Sequence, residues 1–212
     1  MRLPLPFQSD TDPSRSPGPG ALVSSRAASG GYQQSRGIGE VLARLESLRR
    51  PNVLELGAPD PRNFAAYHDR GAAISVADLY RFGVEGRAPD APLEVERLLP
   101  SRSAPFDVVL AWDLLDYLGR DDAEALLAAA RARVSPQALI LILAWSEERI
   151  PATPSHYSIV DETRLQRTES SPRQRVAPRY SEHGLLGLAP LQLERRSILR
   201  HGAVEYVLSF CL

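Results

Sequence analysis

The sequence contains no lysine and a single cysteine, Cys211. Without lysine, a Schiff-base mechanism or a lysine general base is not available. One cysteine excludes an intrachain disulfide and argues against a cysteine-ligated zinc site, so a reducing, cytoplasmic location is expected. The 25 basic side chains, all of them arginine, are balanced by 26 acidic ones. The basic excess that is typical of a nucleic-acid binder is therefore absent, and no such partner is expected.

Long hydrophobic runs are also missing. The longest, Ala138 to Trp145, has the length of a strand and falls well short of the ~18 residues of a membrane helix. Prolines interrupt the first residues, Met1 to Phe7, where a signal peptide requires a continuous apolar stretch. We therefore expect neither a membrane span nor an export signal.

Residues 1–31 are rich in proline, glycine and serine. Such a segment has too little apolar surface to offset the entropy of ordering, so a disordered tail is predicted there. A partner-binding arm is the alternative. The remaining residues, 32–212, have the length of one globular domain.

Apolar residues in this domain alternate between helical and strand periods. A helical stretch ends at Arg50, and its apolar residues are Ile38, Val41, Leu42, Leu45 and Leu48. After it, strands are predicted at 53–56, 73–79, 93–96, 106–112 and 138–145, with helices at 61–70 and 121–134. A helix at 180–188 and a hairpin of two strands, 191–199 and 204–210, complete the chain. This order predicts an α/β fold with a mostly parallel sheet, covered on both faces and finished by an antiparallel hairpin.

Three carboxylates follow the ends of predicted strands, namely Glu55, Asp78 and Asp113. In an open α/β sheet the ligand crevice lies beyond the carboxyl ends of the strands, where the strand order reverses. A carboxylate there can accept two hydrogen bonds from ribose hydroxyls or attract a cationic group. The alternative for Glu55 and Asp78 is a helix-capping role at a strand end, and for Asp113 and Asp116 capping is the favoured interpretation.

Three segments carry a resemblance to the class I S-adenosylmethionine-dependent methyltransferases: Asn52 to Gly57, Ser75 to Leu79 and Phe106 to Trp112. The likeness extends over roughly residues 52–212 and implies a Rossmann-like sandwich that binds S-adenosylmethionine. It implies that Glu55 is the acidic residue ending the first strand and Gly57 the first glycine of the following loop. By the same resemblance Asp78 faces the ribose, Leu79 and Leu98 lie beside the adenine, and Trp112 and Asp113 line the methyl-donor end.

The loop after Gly57 departs from the family pattern. Ala58 to Asn63 includes two prolines where further glycines are usual, so the glycine-rich motif is degenerate. A second hypothesis follows, in which the chain is an inactive scaffold that binds a protein partner.

The methyl acceptor, small molecule or protein, is not identified by any motif. Asp113, Tyr117 and His156 are conceivable bases, and no metal site is expected because the histidines are scattered. The arginines of residues 157–179 indicate either an anionic substrate or partner or, as the favoured interpretation, a solvated loop.

Overall fold

The computed structural model describes residues 31–88, 91–178, 180–200 and 202–211. The tail predicted over residues 1–31 lies outside these ranges, except for Gly31, which begins a strand.

The elements follow one another in an order that repeats strand and helix through the first two thirds of the chain. They are β1 (Gly31–Gln34), α1 (Arg36–Glu46), β2 (Asn52–Glu55), α2 (Pro61–His68), β3 (Ala73–Val76), a π-helical turn (Tyr80–Val84), α3 (Val95–Leu98), β4 (Phe106–Trp112), a 3-10 turn (Leu114–Tyr117), α4 (Arg120–Arg131), β5 (Val134–Trp145), β6 (Arg149–Pro151), β7 (His156–Asp161), β8 (Arg164–Thr168), β9 (Gln174–Val176), α5 (Glu182–Leu186), β10 (Leu191–Ile198) and β11 (Ala203–Phe210).

A six-stranded sheet in the order β10-β11-β5-β4-β2-β3 forms the centre of the fold. Strands β3, β2, β4 and β5 are parallel, and β11 is antiparallel to both β5 and β10. The predicted α/β class, the mostly parallel sheet and the C-terminal hairpin are therefore confirmed. The two strands that follow β2 in the chain, β3 and β4, lie on opposite sides of it, so the strand order reverses at β2. Such a reversal places a crevice at the carboxyl ends of these strands.

The strand predicted over Leu93 to Glu96 is wrong, because this segment leads into the short helix α3. Val95 and Leu99, four residues apart, are both buried, while Glu96 and Arg97 are exposed. That spacing fits one face of a helix rather than alternate faces of a strand. As a result, β3 pairs with β2 alone among the described residues and forms an edge of the sheet.

The first helix is shorter than the predicted stretch, since it begins only at Arg36. The Ser35 side chain accepts a hydrogen bond from the backbone N–H of Ile38 (3.0 Å) and so caps the helix. The residues before Ser35 form β1, which pairs antiparallel with β8.

The segment after β5 forms two small antiparallel sheets, β1-β8-β7 and β6-β9. The interpretation of this segment as a solvated loop is therefore wrong. Tyr157, Leu165 and even Arg167 are buried, because they lie on the face of the β1-β8-β7 sheet that packs against the rest of the domain.

Apolar side chains cover the central sheet on both faces. On one face α1 packs together with Tyr67 of α2 and with the β1-β8-β7 sheet. On the other face the alanines and leucines of α4 pack together with α5. Within the described part of the chain, the helices are all too short or too polar to cross a membrane.

Candidate functional site

A cavity of about 270 Å³ lies at the carboxyl ends of β2 and β4. Residues 153–157, here called the roof, belong to the segment after β5 and form part of the cavity wall. Four of the predicted site residues line it, namely Gly57, Asp78, Trp112 and Asp113. The other lining residues are Leu56, Ala58, Tyr80, Arg81, Glu85, Ala111, Leu114, the five roof residues and Ser170.

Trp112 has an unusual backbone and occupies much of one wall. Its φ of 48° lies in the left-handed region that non-glycine residues rarely adopt. The indole stacks on the ring of Tyr157, with centroids 5.5 Å apart and an interplanar angle of 11°. A Cβ at Gly57 would lie 2.8 Å from Cδ1 of Trp112. Gly57 is therefore required because the indole fills the space that a side chain would need.

Glu55 lies behind this indole and does not line the cavity. Its Oε1 accepts hydrogen bonds from Asn63 Nδ2 (2.9 Å) and Trp112 Nε1 (3.2 Å). Burial raises the pKa of Glu55 to about 7, although the hydrogen bonds from Asn63 and Trp112 partly oppose the shift. Of the two strand-end carboxylates Glu55 and Asp78, only Asp78 therefore lines the cavity.

Of the three residues expected around the adenosyl group, one lines the cavity. Asp78 is half-buried there, and its Oδ1 accepts a hydrogen bond from the backbone N–H of Arg81 (3.2 Å). Leu79 is fully buried in the core. Leu98 packs beside Gly83 and borders a separate surface depression. The structure does not bring Leu79 and Leu98 to the cavity wall, because both side chains complete the core near α3 and the π-helical turn.

The loop from Ala58 to Asn63 departs from the glycine-rich pattern because it leads into α2, which Asp60 caps. Its Oδ1 accepts hydrogen bonds from the backbone N–H groups of Arg62 (2.6 Å) and Asn63 (3.2 Å), and so caps α2. Pro61 follows at a position of the helix where no N–H is needed. Pro59 is exposed. Pro61 therefore starts a helix, and neither proline lines the cavity.

The second oxygen of Asp60 holds the roof and β7. It lies 2.5 Å from Nε2 of His156 and 2.7 Å from the hydroxyl of Ser158. Burial alone would raise the pKa of Asp60, but the hydrogen bonds from Ser158, His156 and the helix N–H groups outweigh it and lower the pKa. Asp60 is thus a fixed carboxylate beside the half-buried His156, which lines the cavity.

Asn63 joins α2 to the outer edge of β7. Its Nδ2 donates to the carbonyl of Tyr157 (3.0 Å), and its Oδ1 accepts from the N–H of Ile159 (2.7 Å). The side-chain amide thus pairs with two backbone groups of an edge strand in the way a neighbouring strand would. Asn63 is fully buried, so these contacts fix the position of the roof relative to β2.

Asp113 and Asp116 follow β4, and both are buried. Asp113 makes no side-chain capping bond to the 3-10 turn, so the capping interpretation is wrong for it. Asp116 accepts from the backbone N–H of Trp145 (2.8 Å), which joins it to β5 instead. Burial raises the pKa of Asp113 to about 6 and that of Asp116 to about 8. The hydroxyl of Tyr117, a conceivable base, donates to the carbonyl oxygens of Pro151 (3.1 Å) and Thr153 (2.9 Å) and is occupied.

Sequence reasoning missed the roles of Asp60, Asn63 and Tyr157. An aspartate directly before a proline is a recognisable helix-start signal, so Asp60 could have been found. Asn63 and Tyr157 carry no local signal, because their partners lie far away in the chain. Among the described residues, no group of three or more His, Cys, Asp or Glu side chains is placed to hold a metal ion.

No family model and no curated protein matches the chain. Several solved structures are similar to it. A S-adenosylmethionine-dependent methyltransferase from Clostridium acetobutylicum covers 82% of this chain and 90% of its own, at 10% identity and a TM-score of 0.50. The CcbJ methyltransferase from Streptomyces caelestis is 15% identical over 83% of this chain and 94% of its own, with a TM-score of 0.49. The glycopeptide N-methyltransferase MtfA, complexed with sinefungin, is 14% identical over 84% and 88%, with a TM-score of 0.48.

At an identity of 10%, the likeness to the first of these structures concerns the fold alone. The chain has the fold of the class I S-adenosylmethionine-dependent methyltransferases.

Proposed function

We propose that the protein transfers a methyl group from S-adenosylmethionine to an acceptor, and that the methyl donor binds in the cavity at the ends of β2 and β4. The observation that carries this proposal is the joint placement of Gly57, Asp78 and Asp113 around one cavity at the point where the strand order reverses. The solved structure that matches with a TM-score of 0.50 is a S-adenosylmethionine-dependent methyltransferase.

The residues of the cavity fit an adenosyl group. Asp78 offers acceptor oxygens for ribose hydroxyls, and Leu56, Ala111 and Leu114 offer apolar surface. The volume of about 270 Å³ is close to the lower end, ~300 Å³, of ordinary small-molecule sites. A cavity of this size suits one ligand.

S-adenosylmethionine, when bound, supplies a methyl group that its sulfonium centre already activates. The protein then has to align the acceptor and, where the acceptor carries a proton, remove it. His156 is suited to that task, because its Nε2 lies 2.5 Å from the Asp60 carboxylate and Nδ1 is the ring nitrogen left to accept a proton. Asp60 is held in turn by Ser158 and the start of α2, which fixes the orientation of the imidazole.

Isothermal titration with S-adenosylmethionine and S-adenosylhomocysteine tests the proposal. We expect both to bind, and Asp78→Ala to weaken binding about 10-fold or more, since it removes charge-assisted hydrogen bonds. Asp69→Ala, which alters an exposed aspartate outside the cavity, is the matched control and should bind as the unchanged protein does. Equal affinities in both variants would contradict the assignment of Asp78.

A second candidate function is a partner-binding scaffold that has the fold without the cofactor. Two contacts at the end of β2 favour the scaffold: Glu55 accepts a hydrogen bond from the indole of Trp112 away from the cavity, and the same indole packs against Gly57. No heat of binding from either nucleoside at ~100 times a micromolar dissociation constant would support the scaffold and exclude the enzyme.

A further inference from the structure

One oxygen of the Asp113 carboxylate has no partner. Oδ2 accepts from the backbone N–H of Ser155 (3.0 Å), the indole N–H of Trp145 (3.4 Å) and the hydroxyl of Tyr157 (3.3 Å). Oδ1 is buried and accepts no hydrogen bond from the described residues. The side chain is 1% exposed. Buried polar atoms are nearly always paired, so Oδ1 indicates a donor supplied from outside the chain.

A second buried atom without a partner lines the same cavity. The hydroxyl oxygen of Thr153, in the roof, makes no hydrogen bond within the described part of the structure. Asp113 follows a strand of the central sheet, whereas Thr153 belongs to the segment after β5. A carboxylate oxygen and a hydroxyl oxygen together match an ammonium group, which carries three N–H donors and one positive charge.

The cation nearest to Asp113 does not serve as this donor. Nε of Arg167 donates to the hydroxyl of Ser155 (3.0 Å), and its guanidinium lies over the ring of Trp145 at 4.4 Å from the centroid. Its Nη2 lies 3.1 Å from the carboxylate of Glu169. Arg167 therefore adds positive charge near Asp113 without a hydrogen bond to Oδ1.

Glu55, the strand-end carboxylate that was expected to attract a cationic group, does not line the cavity. Asn63 and Trp112 both donate to its Oε1, and its Oε2 is buried without a partner among the described residues, but unlike Asp113 it has no place on the cavity wall. A ligand in the cavity thus meets Asp113 and Thr153 and does not meet Glu55.

We propose that Asp113 and Thr153 bind the ammonium group of the methyl donor's amino-acid part, in place of Glu55. This inference rests on the proposed function. It means that the roof contacts the amino-acid part of the ligand directly, and that this part is bound at the end of β4 and not at the end of β2.

Two nucleosides separate the ammonium contact from the rest of the site. S-adenosylhomocysteine carries the amino-acid part, and 5′-methylthioadenosine has the same adenosyl thioether without it. We expect the unchanged protein to bind S-adenosylhomocysteine about 10-fold to 100-fold more tightly, which is the range for a charge-assisted hydrogen bond. Asp113→Asn and Thr153→Val should each reduce this preference while affinity for 5′-methylthioadenosine stays the same. Glu55→Gln, the matched control, should retain the full preference.

Each result decides the question. Equal binding of the two nucleosides by the unchanged protein, or loss of the preference in Glu55→Gln alone, would overturn the inference and leave the proposed function standing. Binding of neither nucleoside would instead remove the proposed function itself. Thr153→Val changes a half-buried roof residue isosterically, so it provides the answer if Asp113→Asn does not fold.

Discussion

Replacing Asn63 with alanine tests whether its side-chain amide fixes β7 to α2. The change removes the partners of two buried backbone groups, the carbonyl of Tyr157 and the N–H of Ile159. Each group left without a partner costs about 1–3 kcal/mol. Oε1 of Glu55 keeps its hydrogen bond from Trp112, so it adds little. We therefore expect the free energy of unfolding to fall by about 4 kcal/mol.

Urea unfolding, followed by far-UV circular dichroism and tryptophan fluorescence, measures this loss directly, with an unchanged slope indicating an unchanged unfolded state. The corresponding decrease in melting temperature is roughly 8–16 °C for a domain of this size. Arg62→Ala is the matched control, because Arg62 is the exposed neighbour on the same helix and contacts only the surface side chain of Gln166. It should change stability by about 0.5 kcal/mol or less. A loss below ~1 kcal/mol for Asn63→Ala would refute the bridging role, since unsatisfied backbone groups cost more than that.

Three further predictions concern stability. Burial raises the pKa of Glu55 from 4.5 to about 7, so the native protein holds this proton more tightly than the unfolded chain does, and the free energy of unfolding falls as the pH rises from about 5 to about 8. In urea titrations across that window, Glu55→Gln should gain about 3 kcal/mol relative to the unchanged protein. Parallel pH profiles of the two proteins would contradict this. Gly57→Ala should cost about 1–3 kcal/mol in thermal unfolding because its Cβ meets Trp112, whereas Gly119→Ala, with no atom within 4 Å of the new Cβ, should be close to neutral. Ser35→Ala removes the cap of α1 and a hydrogen-bond partner of the buried Glu205, so it should lower the free energy of unfolding by about 1–2 kcal/mol. Ser47→Ala, at the exposed end of the same helix, is the control and should lower it less. Equal losses in the two variants would argue against the cap.

The sequence was sufficient to predict most of the central sheet, because β4 and the second half of β5 are continuous apolar runs and the hairpin has a clear turn. It failed at Leu93 to Glu96, where a short apolar segment fits a strand or a helix equally and the burial of Val95 with Leu99 decided the outcome. It also failed for the arginine-rich segment after β5. Arg167 is buried there because its guanidinium stacks on Trp145, a contact that composition does not reveal.

The candidate site was predicted in part. Gly57, Asp78, Trp112 and Asp113 meet at the cavity because they follow strands whose ends lie side by side. The position of Glu55 could not be predicted, since it depends on an asparagine in α2 and on the left-handed backbone of Trp112. Local sequence specifies where a strand ends, whereas the direction of a buried side chain depends on distant partners.

The pairing of β1 with β8 sets an order on folding during synthesis. Gln34 pairs with Arg164, so the strand that precedes α1 has no partner until the segment after β5 has left the ribosome. Contacts between distant parts of a chain form slowly, and the inner face of β1 stays uncovered until then. The roof belongs to the same segment, so the cavity acquires this wall only after the central parallel strands have been synthesised.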